Sequence, residues 1–223
     1  MQANENEHFK IIKMKTILQI ALFIIAVVLA YFIYQSIKHP LDFDKAKKVR
    51  YDATIERLKE IRKAEVAYKE VNGKFTGSWD TLINFVLHDS IVNVRRIGEL
   101  TDSMNDAGIT EKKAIKLGLL IRDTIRESVL GTVFPKNFDA NKLKYVPVPG
   151  EPSEFHLGAT SVLTGSGISV PVFEAKAHNN VILRGLDSEL IINLNEQDRT
   201  NDKYPGLKVG SLTETINNAG NWE

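Results

Sequence analysis

The chain has 223 residues, with 29 lysines and arginines against 28 aspartates and glutamates, so its formal net charge is +1. This balance gives no electrostatic reason to expect a nucleic-acid partner. The absence of cysteine excludes disulfides, thiolate catalysis and cysteine-ligated zinc. A charged fraction of 26% and an aromatic fraction of 8% are ordinary for folded proteins and argue against wholesale disorder.

Residues 17–37 form an apolar segment of 21 residues without a formal charge. As a helix this segment would be about 30 Å long, which matches the hydrocarbon thickness of a bilayer. A cleaved signal peptide would need small residues after its apolar core, where this sequence has Tyr31, Phe32 and Tyr34. Aromatic residues at this point are typical of a membrane interface. We therefore predict one transmembrane helix that anchors a soluble domain.

The flanks of the apolar segment leave its orientation open. Residues 1–16 are predicted to be an N-terminal tail, and Met14 resembles a natural start, so the first thirteen residues are interpreted as an upstream extension. Three lysines precede the segment, and four lysines and one arginine follow it within thirteen residues. The positive-inside rule therefore does not decide which end faces the cytoplasm.

Residues 38–72 are predicted to be an amphipathic stalk helix that continues from the membrane helix. Apolar residues recur on it at steps of mostly three and four, which is the helical period. This stripe packs either on the domain that follows or against a partner subunit. The residues expected to carry interaction, as an assembly stripe, are Ile55, Leu58, Ile61, Ala64 and Tyr68. Asn72 and Gly73 are typical of a helix end, because both tolerate the left-handed conformation.

Residues 73–223 are predicted to form an α+β soluble domain. Ser78 is a candidate cap for a short helix at about 79–87, and the Gly-Ser-Gly sequence at 165–167 predicts a hairpin between two strands. A short helix is expected at 110–119 and a final helix at 186–197, whereas the tail at 217–223 is expected to be loose. The predicted strands are 91–97, 120–133, 143–148, 154–164, 168–177 and 206–212.

Two short sequences carry a family resemblance. Residues 58–75 read LKEIRKAEVAYKEVNGKF, and residues 78–82 read SWDTL. These sequences predict an amphipathic helix with an aromatic residue, then an Asn-Gly-Lys-aromatic turn, then a short helix with an early leucine. This order resembles that of the type IV pilin and type II secretion pseudopilin family. The resemblance covers residues 17–86. A glycine before a phenylalanine and a glutamate five residues later mark the family's processing site, and this sequence has neither.

The resemblance implies a pilin-like α+β fold, in which the membrane helix continues into an amphipathic helix packed on a mainly antiparallel sheet. It implies a single-pass protein of the bacterial inner membrane whose soluble domain is periplasmic or extracellular. Its function would be that of a structural subunit or scaffold of an envelope secretion or pilus-type assembly. The implied partners are the lipid bilayer and other membrane or envelope proteins, further copies of the chain included.

Catalytic motifs are not found in the sequence. The five histidines share no metal-ligand spacing, and neither a nucleophile elbow nor a phosphate-binding Walker loop is present. We therefore expect no catalytic residue, no metal and no cofactor, and hence no enzyme. An alternative to the structural subunit is a membrane-tethered binding module, a receptor or adaptor whose β-rich domain holds a ligand or a partner protein.

Overall fold

The computed structural model describes the backbone of residues 2–99 and 101–223, and the side chains of 18–92, 98–99, 101–102, 104, 106–121 and 125–223. Its first element, α1, is a single helix that spans Gln2–Asn72. At 1.5 Å of rise per residue this helix is about 105 Å long. The predicted N-terminal tail, apolar segment and amphipathic stalk are therefore consecutive parts of one helix.

Every described side chain of the apolar part of α1, residues 18–37, is exposed. Within the described side chains, Leu18–Asn72 includes a window long and apolar enough to cross a bilayer, with a mean hydropathy of 2.4 and none of the window buried. Pro40 lies inside the helix just beyond the apolar segment. Because proline has no amide hydrogen, one helical hydrogen bond is missing where the apolar segment meets the rest of the helix.

The distal part of α1 is the central element of the domain. Leu58 and Ile61 are fully buried among residues of the later helices and strands, so the predicted segments 38–72 and 73–223 share one hydrophobic core. The helix ends as predicted. Gly73 adopts a left-handed φ of 72°, and its amide donates to the carbonyl of Lys69 at 2.8 Å.

After α1 the chain alternates short helices and strands. The helices are α2 (Trp79–His88), α3 (Asp102–Asp106), α4 (Glu111–Lys116), α5 (Val129–Val133), α6 (Asn179–Ile182) and α7 (Ser188–Thr200), with a 3-10 turn at Ala140–Lys142. The strands are β1 (Ser90–Ile97), β2 (Ile121–Ser128), β3 (His156–Leu163), β4 (Ser169–His178) and β5 (Gly206–Gly210). The α+β class, with its long N-terminal apolar helix and antiparallel sheets, is confirmed.

Two separate antiparallel sheets follow from the strand pairing. A three-stranded sheet in the order β3–β4–β5 packs on α1 through β4 and β5. Phe173 on β4 is fully buried there, and its ring lies 4.8 Å from the ring of Phe75. Strands β1 and β2 form a two-stranded ribbon, paired from Ser90 with Ser128 to Ile97 with Ile121.

Local signals in the sequence located several elements correctly. Ser78 caps α2 by accepting a hydrogen bond from the amide of Thr81 at 3.4 Å. The hairpin predicted at the Gly-Ser-Gly sequence joins β3 to β4, and Gly167 adopts a φ of 77° in its turn. Both features depend on interactions between residues at most four apart, so the rest of the fold had little influence on whether they form.

Three expectations for the domain are wrong. Residues 129–133 of the predicted strand 120–133 form helix α5, because Ser128 caps it by accepting from the amide of Gly131 and Val129 is buried. The predicted strand 143–148 contributes only an isolated bridge between Tyr145 and Glu154. The tail at 217–223 is not loose, since Trp222 packs on the hydrophobic core.

Candidate functional site

The exposed apolar segment of α1 is the first candidate for a functional surface. Its side chains point outward all around the helix, as shown by Phe23 and Ile33, which are 70% and 63% exposed. Water is an unfavourable solvent for an apolar surface of this size, since each Å² left exposed forgoes roughly 25 cal/mol. Because the segment carries no charge, lipid chains or other apolar helices are the surroundings that fit it.

The predicted interaction stripe lies inside the domain. Leu58, Ile61 and Ala64 have no exposed surface, and Ile55 and Tyr68 are half-buried against the same core. The ring of Tyr68 stands edge-on to that of Phe85, with 5.1 Å between their centroids. Of the two alternatives for this stripe, the structure shows the first: the stripe packs on the domain that follows it.

The outer face of the same helix is charged. Lys59 and Glu56 are paired at 2.8 Å, and Lys45 and Asp42 at 3.9 Å. Such pairs on a helix surface contribute only a few tenths of a kcal/mol each. Their effect is to keep this face soluble.

Glu65 is a buried carboxyl, although the sequence pattern had placed it with Arg62 on the charged face of the helix. It has no exposed surface, and one carboxyl oxygen accepts a hydrogen bond from the amide of Thr76 at 3.0 Å. The other oxygen has no hydrogen-bond partner in the described part of the chain. Burial raises the pKa of Glu65 to about 8, and the bond from Thr76 lowers it only in part. The sequence did contain a signal for this burial, because Glu65 follows Leu58 and Ile61 at the helical spacing that places it on the same face as the stripe.

A chain of polar contacts joins α1 to α6 and α7. The hydroxyl of Tyr51 donates to Oδ1 of Asn179 at 2.5 Å, and Nδ2 of Asn179 donates to Asp198 at 3.2 Å. Burial and the nearby charge of Asp198 raise the pKa of Tyr51 to about 12. The tyrosine therefore stays neutral at physiological pH, and these contacts fix the packing of the helices.

Two grooves flank the segment that follows β5. One, of about 240 Å³, is lined by Lys69, Val172, Thr215 and Asn217, among others. The second, of about 550 Å³, shares Asn217 and Asn218 with the first and is lined also by residues of α1. Asn217 and Asn218 both have left-handed φ angles, 52° and 57°, which are uncommon outside glycine. The grooves are wide enough for a peptide side chain or a small polar molecule.

The described residues bring together no metal centre. Among them, no three histidine, aspartate or glutamate side chains lie close enough to hold an ion. His178 is engaged in capping α6, where Nδ1 accepts from the amide of Asn180 at 3.1 Å. Burial, together with Arg199, lowers the pKa of His178. His39 lies 3.6 Å from Asp187, a contact between α1 and the start of α7.

Comparison with known proteins adds no relative to this picture. No protein-family model matches the sequence, and no curated protein or solved structure matches it either.

Proposed function

We propose that the chain is a membrane-anchored, pilin-like or pseudopilin-like structural subunit or scaffold of a bacterial envelope secretion or pilus-type assembly. One observation carries the proposal: α1 is a single helix whose apolar segment is bare, while its distal part is the core element of an α+β domain. The apolar segment spans the inner membrane, and the domain lies on the outer side of it. The role is structural, and no catalytic step belongs to it.

The end of α1 supports the same proposal. The Asn-Gly-Lys-Phe turn at 72–75 closes the helix, and Phe75 then enters the core. An antiparallel sheet covers this half of the helix through β4 and β5. A membrane helix joined without interruption to an amphipathic helix, a turn and an antiparallel sheet is the arrangement that the family resemblance implies.

The surfaces that remain for assembly differ from those expected from the sequence. Because the stripe from Ile55 to Tyr68 is covered by the domain itself, neighbouring subunits meet through the apolar segment and the charged outer face of α1. In lipid, helices associate through close packing, which residues as small as Ala26 and Ala30 permit. We therefore place the first contacts between subunits at these two alanines.

The experiment is disulfide cross-linking in native membranes. The natural chain has no cysteine, so Ala26→Cys and Ala30→Cys each introduce one thiol with no background. We expect oxidation to give a cross-linked product with a second copy or another membrane protein at one or both positions. Leu163→Cys, at an exposed hairpin end of the domain, is the control for random collision. The proposal would be overturned if both alanine variants gave only uncross-linked single chains and lysine-directed cross-linking of the same membranes also gave only single chains.

The grooves beside Asn217 and Asn218 favour a second candidate, the membrane-tethered binding module. The smaller groove combines a cation, Lys69, and a carboxylate, Glu214, with amide and hydroxyl groups, a set that suits a small polar ligand with both charges. This function predicts a monomeric chain in the cross-linking experiment and saturable binding that Lys69→Gln weakens. A chain that cross-links to neighbours and shows no such binding is a structural subunit.

A further inference from the structure

We infer that the domain rests directly on the bilayer surface, with its α6–α7 corner, residues 183–188, and the adjoining loop 149–153 in contact with lipid headgroups. The inference rests on the proposed function, because it takes the apolar segment of α1 as the membrane anchor. This arrangement differs from one in which an exposed part of α1 holds the domain away from the membrane. The contact surface is a part of the chain to which neither the sequence pattern nor the proposed assembly assigns a role.

The first observation is a contact at the end of the anchor. Nε2 of His39 lies 3.6 Å from Oδ2 of Asp187. His39 is two residues beyond Ile37, the last residue of the apolar segment, so it is about 3 Å further along the helix axis. The headgroup layer on each side of a bilayer is roughly 5–7 Å thick. Asp187 therefore lies at the depth of the headgroups when residues 17–37 fill the hydrocarbon.

The second observation is that the domain lies against one face of α1 from this point onward. Phe43 packs on the hydrophobic core, one helical turn after His39. Further along, Nη1 of Arg50 donates to the carbonyl of Arg184 at 2.7 Å and lies 3.3 Å from that of Ile182. Together with the contact of His39, one residue before Pro40, these contacts begin at the proline and continue beyond it. Contacts with the domain therefore begin at His39, two residues beyond the apolar segment, while the other face of the helix, with Leu41 and Val49, stays exposed.

The third observation is the direction of α7. Its cap, Asp187, contacts His39, whereas Asp198 near its other end is joined to Tyr51 through Asn179. The twelve residues from His39 to Tyr51 rise about 18 Å along α1, and the eleven from Asp187 to Asp198 rise about 17 Å along α7. The two helices therefore run nearly parallel. The first residue of α7 is its membrane end, and the last residue points away from the bilayer.

The chemistry of the corner fits headgroups rather than lipid chains. Arg184 holds the neighbouring loop, because its Nη1 donates to the carbonyl of Glu151 at 3.2 Å and its Nη2 to the hydroxyl of Ser153 at 2.8 Å. All side chains of 149–153 and 183–188 are described, and no large apolar side chain among them is exposed. One arginine and two acidic residues, Glu151 and Asp187, give the surface mixed charge. Such a surface suits the hydrated, zwitterionic layer of a phosphatidylcholine membrane.

The test measures depth at the two ends of α7. Ser188 and Thr200 are exposed hydroxyl residues at its first and last positions. Ser188→Cys and Thr200→Cys therefore form a matched pair in a chain without other thiols. Each full-length variant is labelled with a small fluorophore and reconstituted into phosphatidylcholine vesicles that contain a headgroup spin-labelled lipid. The labels are separated by about 18 Å along the helix, so we expect quenching at position 188 to exceed that at 200 at least about twofold.

A third label separates the two claims. Val28→Cys, in the middle of the apolar segment, is quenched by acyl-chain spin labels if the anchor spans the bilayer. Equal quenching at 188 and 200, with Val28 in the hydrocarbon, would overturn the inference and leave the anchor intact. A label at 28 that acyl-chain quenchers do not reach would overturn the proposed anchor and the inference with it. Unchanged helical content by circular dichroism shows that each labelled variant is folded.

Discussion

Replacing Glu65 by glutamine tests whether the buried carboxyl couples the stability of the domain to pH. The side chain has no exposed surface, one of its oxygens has no hydrogen-bond partner among the described residues, and its pKa is raised from 4.5 to about 8. In the folded chain the carboxyl is therefore protonated up to about pH 8. In the unfolded chain it loses its proton near the ordinary value of about 4.3.

The sign and size of the effect follow from this difference. Between pH 4.5 and 8 the folded state binds one proton more than the unfolded state, so the free energy of unfolding falls as the pH rises. The slope is about 1.4 kcal/mol per pH unit, which sums to on the order of 5 kcal/mol across this window. Below pH 4.5 both states are protonated and above pH 8 both are ionised, so the contribution of Glu65 is constant there.

Glu65→Gln removes the titration while it keeps an oxygen for the amide of Thr76. We expect the variant to be more stable than the natural chain at pH 9. Near pH 4.5 it is expected to be about 1 kcal/mol less stable, because its amide group leaves donors unpaired. Glu70→Gln, at an exposed position on the same helix, is the matched control and should change stability by less than about 0.5 kcal/mol at either pH.

The measurement is urea unfolding of the full chain in detergent micelles at several pH values. Tryptophan fluorescence reports it, since Trp79 and Trp222 both pack on the hydrophobic core. The quantity of interest is the free energy of unfolding of the Glu65→Gln variant minus that of the natural chain, because other titrating groups cancel in this difference. A difference that stays constant from pH 5 to pH 9 would refute the reasoning.

Three further changes test the packing around the sheet and α7 by the same unfolding assay. Gly210→Ala is expected to cost at least about 2 kcal/mol, because Gly210 has a φ of 75° and a Cβ there would clash with the carbonyl oxygen of Phe173; Gly165→Ala, at an open position, should have little effect. Trp222→Ala is expected to cost about 2 kcal/mol of packing on the core, and an unchanged value would show that the tail is loose after all. Asp187→Ala is expected to cost about 1 kcal/mol, since its side chain caps α7, whereas Asp187→Asn keeps a capping oxygen and should be nearly neutral; equal losses in both would contradict the capping role.

The elements that could be predicted from the sequence depend on near neighbours. The cap at Ser78 and the turn at Gly73 are set by residues within a few positions, and the helical period of the stripe needs only the helix itself. The prediction of a strand at 120–133 is wrong for its second half. The residues from Val129 to Val133 have a β-like composition, but the cap from Ser128 and the burial of Val129 select a helix instead.

Tertiary contacts decide the remaining features. The tail is ordered because Glu223 pairs with Arg62, 161 residues earlier in the chain, at 2.8 Å. The amphipathic pattern could not say whether the stripe would face the domain or a partner, since both choices bury the same residues. The contact between His39 and Asp187 likewise joins residues far apart in sequence, so no local signal indicates where the domain lies relative to the apolar segment.

The central claim is that the chain is a membrane-anchored subunit of a larger assembly. It is tested most directly by the mass of the full chain extracted from native membranes in copolymer discs, which retain the surrounding lipid. The account predicts that the chain co-migrates with lipid and has a mass of two or more chains, or of a complex with another envelope protein. A species that leaves the membrane in alkaline buffer, or a disc that holds a single 25.0 kDa chain, would contradict it.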